Sequence, residues 1–261
     1  MGELVKVKIE NSIAVVTLDS PPVNALSPAL LKELKAQFEE LDGNADARAI
    51  VITGAGNHAF CAGADVKELA GASPEDAKEI VKLGQDAFNT IEDCSKPVIA
   101  AINNLALGGG GCELAMSCDI RISSDRARFG QPEVWLGLLP AWGGSTRLPQ
   151  LVGPGKAKEL IFTGQMINAQ QAQRDGLVDK IVPDGEEVRA AIDIGRMIAR
   201  KSAPLAVAHS KRVINANLRA ASRDEALANE VEAAGTLAAT EDLIEGITAF
   251  IEKRAPEFAG K

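Results

Sequence analysis

Three short apolar runs constrain this chain more than any other feature: "RAIVIT" at 48–53, "KPVIAAI" at 96–102 and "CDIRIS" at 118–123. Each reads as a buried strand rather than a half-exposed one, because apolar and polar residues do not alternate cleanly. A helical stripe at 77, 80, 81, 84, 87, 88 and 91 separates the first two. Strands that alternate with helices imply an α/β core built from repeated strand–helix units. Upstream, 4–10 and 12–18 alternate and end in Asp19-Ser20-Pro21-Pro22, the pattern of a hairpin, and 28–42 carry a helical stripe behind a Ser27 cap. Beyond 140 the strand signal thins. Residues 154–176 read as helical, "LVDKIV" as one last strand, and 186–254 as helix after helix with no evident core of their own.

Composition narrows the function more than the fold. The 261 residues suffice for one core with an appendage or for two small domains. No apolar run reaches membrane-spanning length, the start lacks a signal-peptide pattern, and Lys6 stands where myristoylation needs Ser or Thr. A cytoplasmic location is the expectation. Cys61, Cys94, Cys112 and Cys118 form no C-x-x-C pair, and His58 and His209 are the only histidines, which argues against a zinc site. The net charge of −8 disfavours nucleic-acid partners. Seven Phe, two Trp and no Tyr leave few platforms for stacking bases or sugars, against an RNA-binding module and against a two-carboxylate glycosidase.

Two glycine-rich stretches remain to be explained, "GAGNHAFCAGADVKEL" at 54–69 and "LALGGGGCELAMSCDI" at 105–120. The second lacks the Gly-Lys-Ser/Thr ending of a phosphate-binding loop, and the first does not open directly into a helix as a dinucleotide fingerprint must. Each follows a strand. In a parallel sheet such junctions lie together at the carboxyl ends of the strands, so two backbone N–H groups could converge on one oxygen, the layout of an oxyanion hole. Two unrelated turns are the plainer alternative. Two carboxylates accompany the glycines. Glu113 reads as part of the first helical turn after them, and Glu133 follows Gln131-Pro132, a natural helix start.

The stretches "AFCAGADVKEL" (59–69), "KPVIAAINNLALGGGGCELAMSCDI" (96–120) and "ARFGQPEVWLGLLPAWGGSTRL" (127–148) together resemble the enoyl-CoA hydratase, or crotonase, family. The resemblance implies a crotonase-like α/β spiral of repeated ββα units. Residues 1–195 would form the core with the acyl-CoA site, and 196–261 a helical region for oligomerisation that also covers the site. It implies a thioester whose carbonyl oxygen lies between the N–H groups of Ala64 and Gly110, with CoA held along Ala64, Asp65, Val66 and Lys67. Glu113 would be the base, its ionised form favoured by the helix N-terminus, and Glu133 the proton donor. The implied activity is reversible hydration of a short or medium 2-enoyl-CoA, without metal or redox cofactor, by a homotrimer or a dimer of trimers. A 3-2-enoyl-CoA isomerase of the same fold is the alternative. Four features depart from the family pattern: four glycines (108–111) where three small residues are usual, Asn104 in place of glycine, an altered loop at Ala141, Ser145 and Thr146, and no basic residue within "PPVNAL". The last leaves Lys67, Lys253 and Arg254 as candidate partners for the CoA phosphates.

Overall fold

A computed structural model describes residues 4–65 and 71–261. The chain opens with β1 (Val5–Glu10) and β2 (Ile13–Leu18), antiparallel from Val5↔Leu18 to Glu10↔Ile13. Asn11 and Ser12 make the turn with positive φ. Helix α1 (Pro28–Gly43) starts where Ser27 accepts a hydrogen bond from the Leu30 N–H at 3.2 Å, and it buries Leu30, Leu31, Leu34, Phe38 and Leu41. That is the stripe its sequence predicts.

A repeating pattern follows. β3 (Ala49–Gly54) leads to β4 (Ala59–Cys61), then to α2 (Pro74–Asp93). β5 (Val98–Ile102) leads to β6 (Leu105–Leu107), then to α3 (Gly108–Met116). β7 (Ile120–Ser124) leads to β8 (Arg128–Gly130), then to a 3-10 turn (Pro132–Leu136), α4 (Gly144–Val152) and α5 (Pro154–Thr163). β9 (Ile167–Asn168), α6 (Ala169–Arg174) and β10 (Lys180–Val182) complete the body. The first strand of each wind joins a six-stranded sheet ordered β1-β2-β3-β5-β7-β10, parallel except for the hairpin. The second strand of each wind joins a smaller sheet ordered β4-β6-β8-β9. Both sheets run in the order of the winds, so the chain advances as a spiral of ββα units.

The large sheet is covered on both faces, which explains its unbroken apolar runs. Ile50, Ile52, Val98, Ala100 and Ile102 pack toward α1, α2 and the second sheet. Ala49, Val51, Ile99, Ala101 and Ile122 pack against α7 (Glu187–Lys201). Three more helices close the chain: α8 (Pro204–Asn217), α9 (Arg223–Leu237) and α10 (Glu241–Glu252). The boundary placed after residue 195 falls inside α7. A Cβ on Gly195 would lie 3.1 Å from Ile13 and 3.4 Å from Ala49, so α7 belongs to the sheet's cover on both sides of that point. The predicted helix over 154–176 is two helices, because Gly164 ends α5 with φ 63° and β9 intervenes. α8 is fastened by the buried Lys211, which pairs with Asp119 at 2.8 Å and donates to the Lys96 carbonyl at 3.1 Å. Among the described residues no helix is long and apolar enough to cross a membrane.

Candidate active site

The four glycines are not a loop ahead of a helix. Gly108 turns the chain with φ 54° at the end of β6, and the others form the first turn of α3. Glu113 therefore lies in the helix's second turn, not its first. Each glycine is required by a different neighbour. A Cβ on Gly108 would come within 2.9 Å of Glu133 Oε1, and one on Gly109 within 2.8 Å of the Trp142 ring and 3.1 Å of Glu113 Oε2. A Cβ on Gly110 would overlap the Gly63 carbonyl oxygen, and one on Gly111 the Cys61 carbonyl oxygen. The last two contacts answer the question the sequence left open: the first turn of α3 packs directly on the end of β4 and the residues after it, so the two glycine stretches meet.

Among the described residues, neither the Ala64 nor the Gly110 N–H donates a backbone hydrogen bond outside the regular elements. Ala64 bridges Leu26 in parallel; the Leu26 N–H donates to the Gly63 carbonyl and the Asp65 N–H to the Leu26 carbonyl, both at 3.0 Å. That pairing turns the Ala64 N–H to the opposite side of its strand. The Gly110 N–H lies in the first turn of α3, where no intrahelical acceptor exists. Val66 and Lys67 lie outside the described residues.

The loops around this junction are fastened by side-chain amides, of which the sequence had singled out Asn104 alone. Asn103 Nδ2 donates to the Gly54 and Gly56 carbonyls at 3.1 and 2.8 Å, and Asn104 Nδ2 to the Asn57 carbonyl at 2.9 Å. Asn24, almost fully buried, donates to the Ala55 and Ala59 carbonyls, each at 3.0 Å. Asn104 thus takes a tethering role at the position where the family commonly has glycine. Arg254, a candidate for the CoA phosphates, is engaged by Glu245 through hydrogen bonds of 2.7 and 2.8 Å.

Glu113 is 1% exposed. Its Oε1 accepts from the Gly144 N–H at the start of α4, and the Trp142 amide also favours its ionised form. Burial outweighs these donors and, with the nearby Glu133 charge, pushes the Glu113 pKa up to about 8. The helix end, expected to favour ionisation, is one turn too far away to do so. Glu133 opens the 3-10 turn behind Pro132 and is half-buried. Burial raises its pKa as well, partly offset by its own amide and that of Gly109. Gln131 sets its amide nitrogen 3.2 Å from both Glu133 oxygens in the orientation that satisfies both groups. Both carboxyls are shifted upward, and Glu113, which feels the Glu133 charge as well as its own burial, is the one that holds a proton near neutral pH. The four cysteines are buried free thiols; burial raises all of them, Cys61, Cys94 and Cys118 to about 12.

The raised Glu113 pKa has a cost in stability with a definite sign. Between the unfolded value near 4.5 and about 8 the folded state binds the extra proton, so stability falls as pH rises through that window. Glu113→Gln removes the ionisation. Its Tm is expected to exceed the parent's, with the gap small at pH 5 and wide at pH 8 in thermal scans; a gap independent of pH refutes the shift.

Comparison with known proteins identifies the family and the fold. The sequence profile described as enoyl-CoA hydratase/isomerase matches residues 8–261. A short-chain-enoyl-CoA hydratase of Clostridium acetobutylicum is 47% identical over 249 residues, which are 95% of this chain and 94% of that protein. A crotonyl-CoA hydratase of Syntrophomonas wolfei is 44% identical over 253 residues, 97% and 96% of the two chains. The crystal structure of an enoyl-CoA hydratase from Bacillus anthracis superposes with a TM-score of 0.94 at 39% identity, covering 99% of this chain and 100% of that one. The spiral is thus the crotonase fold, and the chain belongs to the enoyl-CoA hydratase/isomerase family.

Proposed function

We propose that this chain is an enoyl-CoA hydratase that adds water reversibly across the double bond of a short 2-enoyl-CoA to give the 3-hydroxyacyl-CoA. One contact supports the mechanism most, Gly110 seated on the Gly63 carbonyl, together with the raised Glu113 pKa beside the Glu133 charge. Water attack at Cβ pushes charge onto the thioester carbonyl oxygen, and the Ala64 and Gly110 N–H groups receive it. The Gly109 amide faces Glu133, which favours Gly110 over Gly109 as the second donor. The ionised member of the Glu113–Glu133 pair takes the proton that water loses, and the protonated member delivers one to Cα. Exchange of a proton within the pair then restores the starting state, so neither carboxyl needs a fixed role.

The 44–47% identity to hydratases named for short-chain and crotonyl substrates supports the choice of a short acyl chain. Mixing the protein with crotonyl-CoA is expected to bleach the conjugated enoyl absorbance and yield 3-hydroxybutyryl-CoA. An intact absorbance, with a 3-enoyl-CoA converted to its 2-isomer and no hydroxyl product, would replace this reading by the isomerase one. Assembly through the helical tail, as a trimer or a dimer of trimers, fits the apolar residues that α10 leaves open, among them Phe250 (85% exposed) and Ile251.

A further inference from the structure

We infer that Arg147 is a positioning residue whose guanidinium clamps the Trp142–Gly144 turn onto α2, so that the amides of this turn stay aimed at Glu113. The inference rests on the two-carboxylate reading above and extends it to a residue that does not touch the substrate.

The turn carries the donors to Glu113, and its own backbone ties are local: the Thr146 and Arg147 N–H groups donate to the Gly143 carbonyl at 3.0 and 2.7 Å, and the Ser145 N–H to the Pro140 carbonyl at 3.3 Å. It lies between the 3-10 turn and α4, and Gly143 has a φ of 113°, a conformation without intrinsic preference for one direction. What fixes it comes from α2. Gln85 Nε2 donates to the Ala141 carbonyl at 2.8 Å. The Trp142 ring lies on the bare face of Gly84 and meets Phe88 edge to face at 5.8 Å. Arg147, only 8% exposed, supplies the third and most directional tie. Its Nη1 donates to the Trp142 carbonyl at 3.1 Å, its Nε to Glu92 at 2.7 Å and its Nη2 to Asn89 at 2.8 Å. A Cβ on Gly143 would overlap Nη1, so that edge of the guanidinium sits directly against the turn itself. Three acceptors in three directions match the planar fork of arginine; a lysine ammonium cannot span them.

The clamp reaches beyond the site. Glu92 also accepts from Arg219, just past α8, so the acceptor that holds Arg147 is itself held from the helical tail. Among the described residues, the charged and titratable groups acting on Glu113 are Glu133 on the 3-10 turn, Cys112 beside it on α3, and Arg147 on α4, whose charge is in turn neutralised by Glu92 on α2. Arg147 therefore serves Glu113 twice, through the aim of two amides and through its own charge.

Three variants separate this role from general stabilisation: Arg147→Met, Arg147→Lys and Glu92→Gln. With crotonyl-CoA, Arg147→Met is expected to lower kcat per folded molecule by about tenfold or more with KM changed less than about twofold, the signature of lost alignment rather than lost binding. Arg147→Lys keeps the charge without the fork and is expected to recover little of the loss. The second readout needs no turnover: ¹³C NMR titration of the glutamate carboxyls, with the Glu113 signal assigned by its absence in Glu113→Gln. There Arg147→Met should move the Glu113 midpoint upward, whereas Glu92→Gln, whose amide oxygen still accepts from Arg147 but no longer neutralises its charge, should move it downward. An unmoved Glu113 titration in a folded Arg147→Met, or a normal kcat, overturns the inference. Should Arg147→Met not fold, an unmoved titration in Glu92→Gln overturns it equally. A parent protein without hydratase activity refutes the function proposed above, while the titration still decides the role of Arg147.

Discussion

Glu113→Gln is expected to lower kcat for crotonyl-CoA hydration by ~10²-fold or more, and Glu133→Gln to do the same. The amide replacement preserves shape and still accepts from the Gly144 N–H, so the turn that faces Glu113 keeps its partner. What it removes is the proton. Hydration transfers one proton from water and another to Cα in each turnover, and a pair with one fixed neutral member can perform only half of that exchange. The double variant should therefore be scarcely worse than either single one, because the two carboxyls act as a unit. Circular dichroism and Tm guard against the trivial explanation, and on the Tm axis Glu113→Gln should gain rather than lose. Full turnover by either single variant would remove the two-carboxylate mechanism.

The second large effect is expected from one methyl group. Gly110→Ala would drive a Cβ into the Gly63 carbonyl oxygen and to 2.6 Å from the Cys61 sulfur. Two of the three nearest atoms are backbone, which cannot swing aside as a flexible side chain does, so the segment after β4 and the start of α3 must part. Separating them pulls the Gly110 amide out of line with that of Ala64. Loss of one donor to a developing oxyanion costs ~3–4 kcal/mol of barrier, or ~10²–10³-fold in kcat. Tm should fall as well. Gly43→Ala is the matched control: Gly43 ends α1 with open space around it, and its kcat should equal the parent's. A Gly110→Ala enzyme with parental kcat would show that the contact has no bearing on catalysis.

Much of this architecture was visible in the chain before any coordinates. The runs at 48–53, 96–102 and 118–123 became β3, β5 and β7, since strands buried on both faces need unbroken apolar sequence. The second sheet escaped notice for a physical reason as plain. β4, β6 and β8 are three residues each, too short to display a period, and their pairing is set by the strands that precede them. Glu113 and Glu133 stood out because carboxylates beside glycine junctions are uncommon company. Arg147, Trp142 and the Gly144 amide did not, because their meeting with Glu113 depends on a turn some thirty residues downstream. The pull of the helix end on Glu113 was misjudged for a similar cause. Whether glycines belong to a loop or to a helix is decided by what touches them, and that information is not local.

The helical state of Gly109–Gly111 also settles how freely the glycine run can vary in length. Gly110 and Glu113 are three residues apart on one rigid rod that advances about 100° per residue, so the donor amide and the acid side chain keep a common heading. A residue added or dropped ahead of Gly110 translates both as one piece, with Gly108 taking up the slack. An insertion between them would rotate one away from the other by the same 100° or so. The Gly-Gly-Cys-Glu spacing is thus the part of the run where a change of length does the most harm.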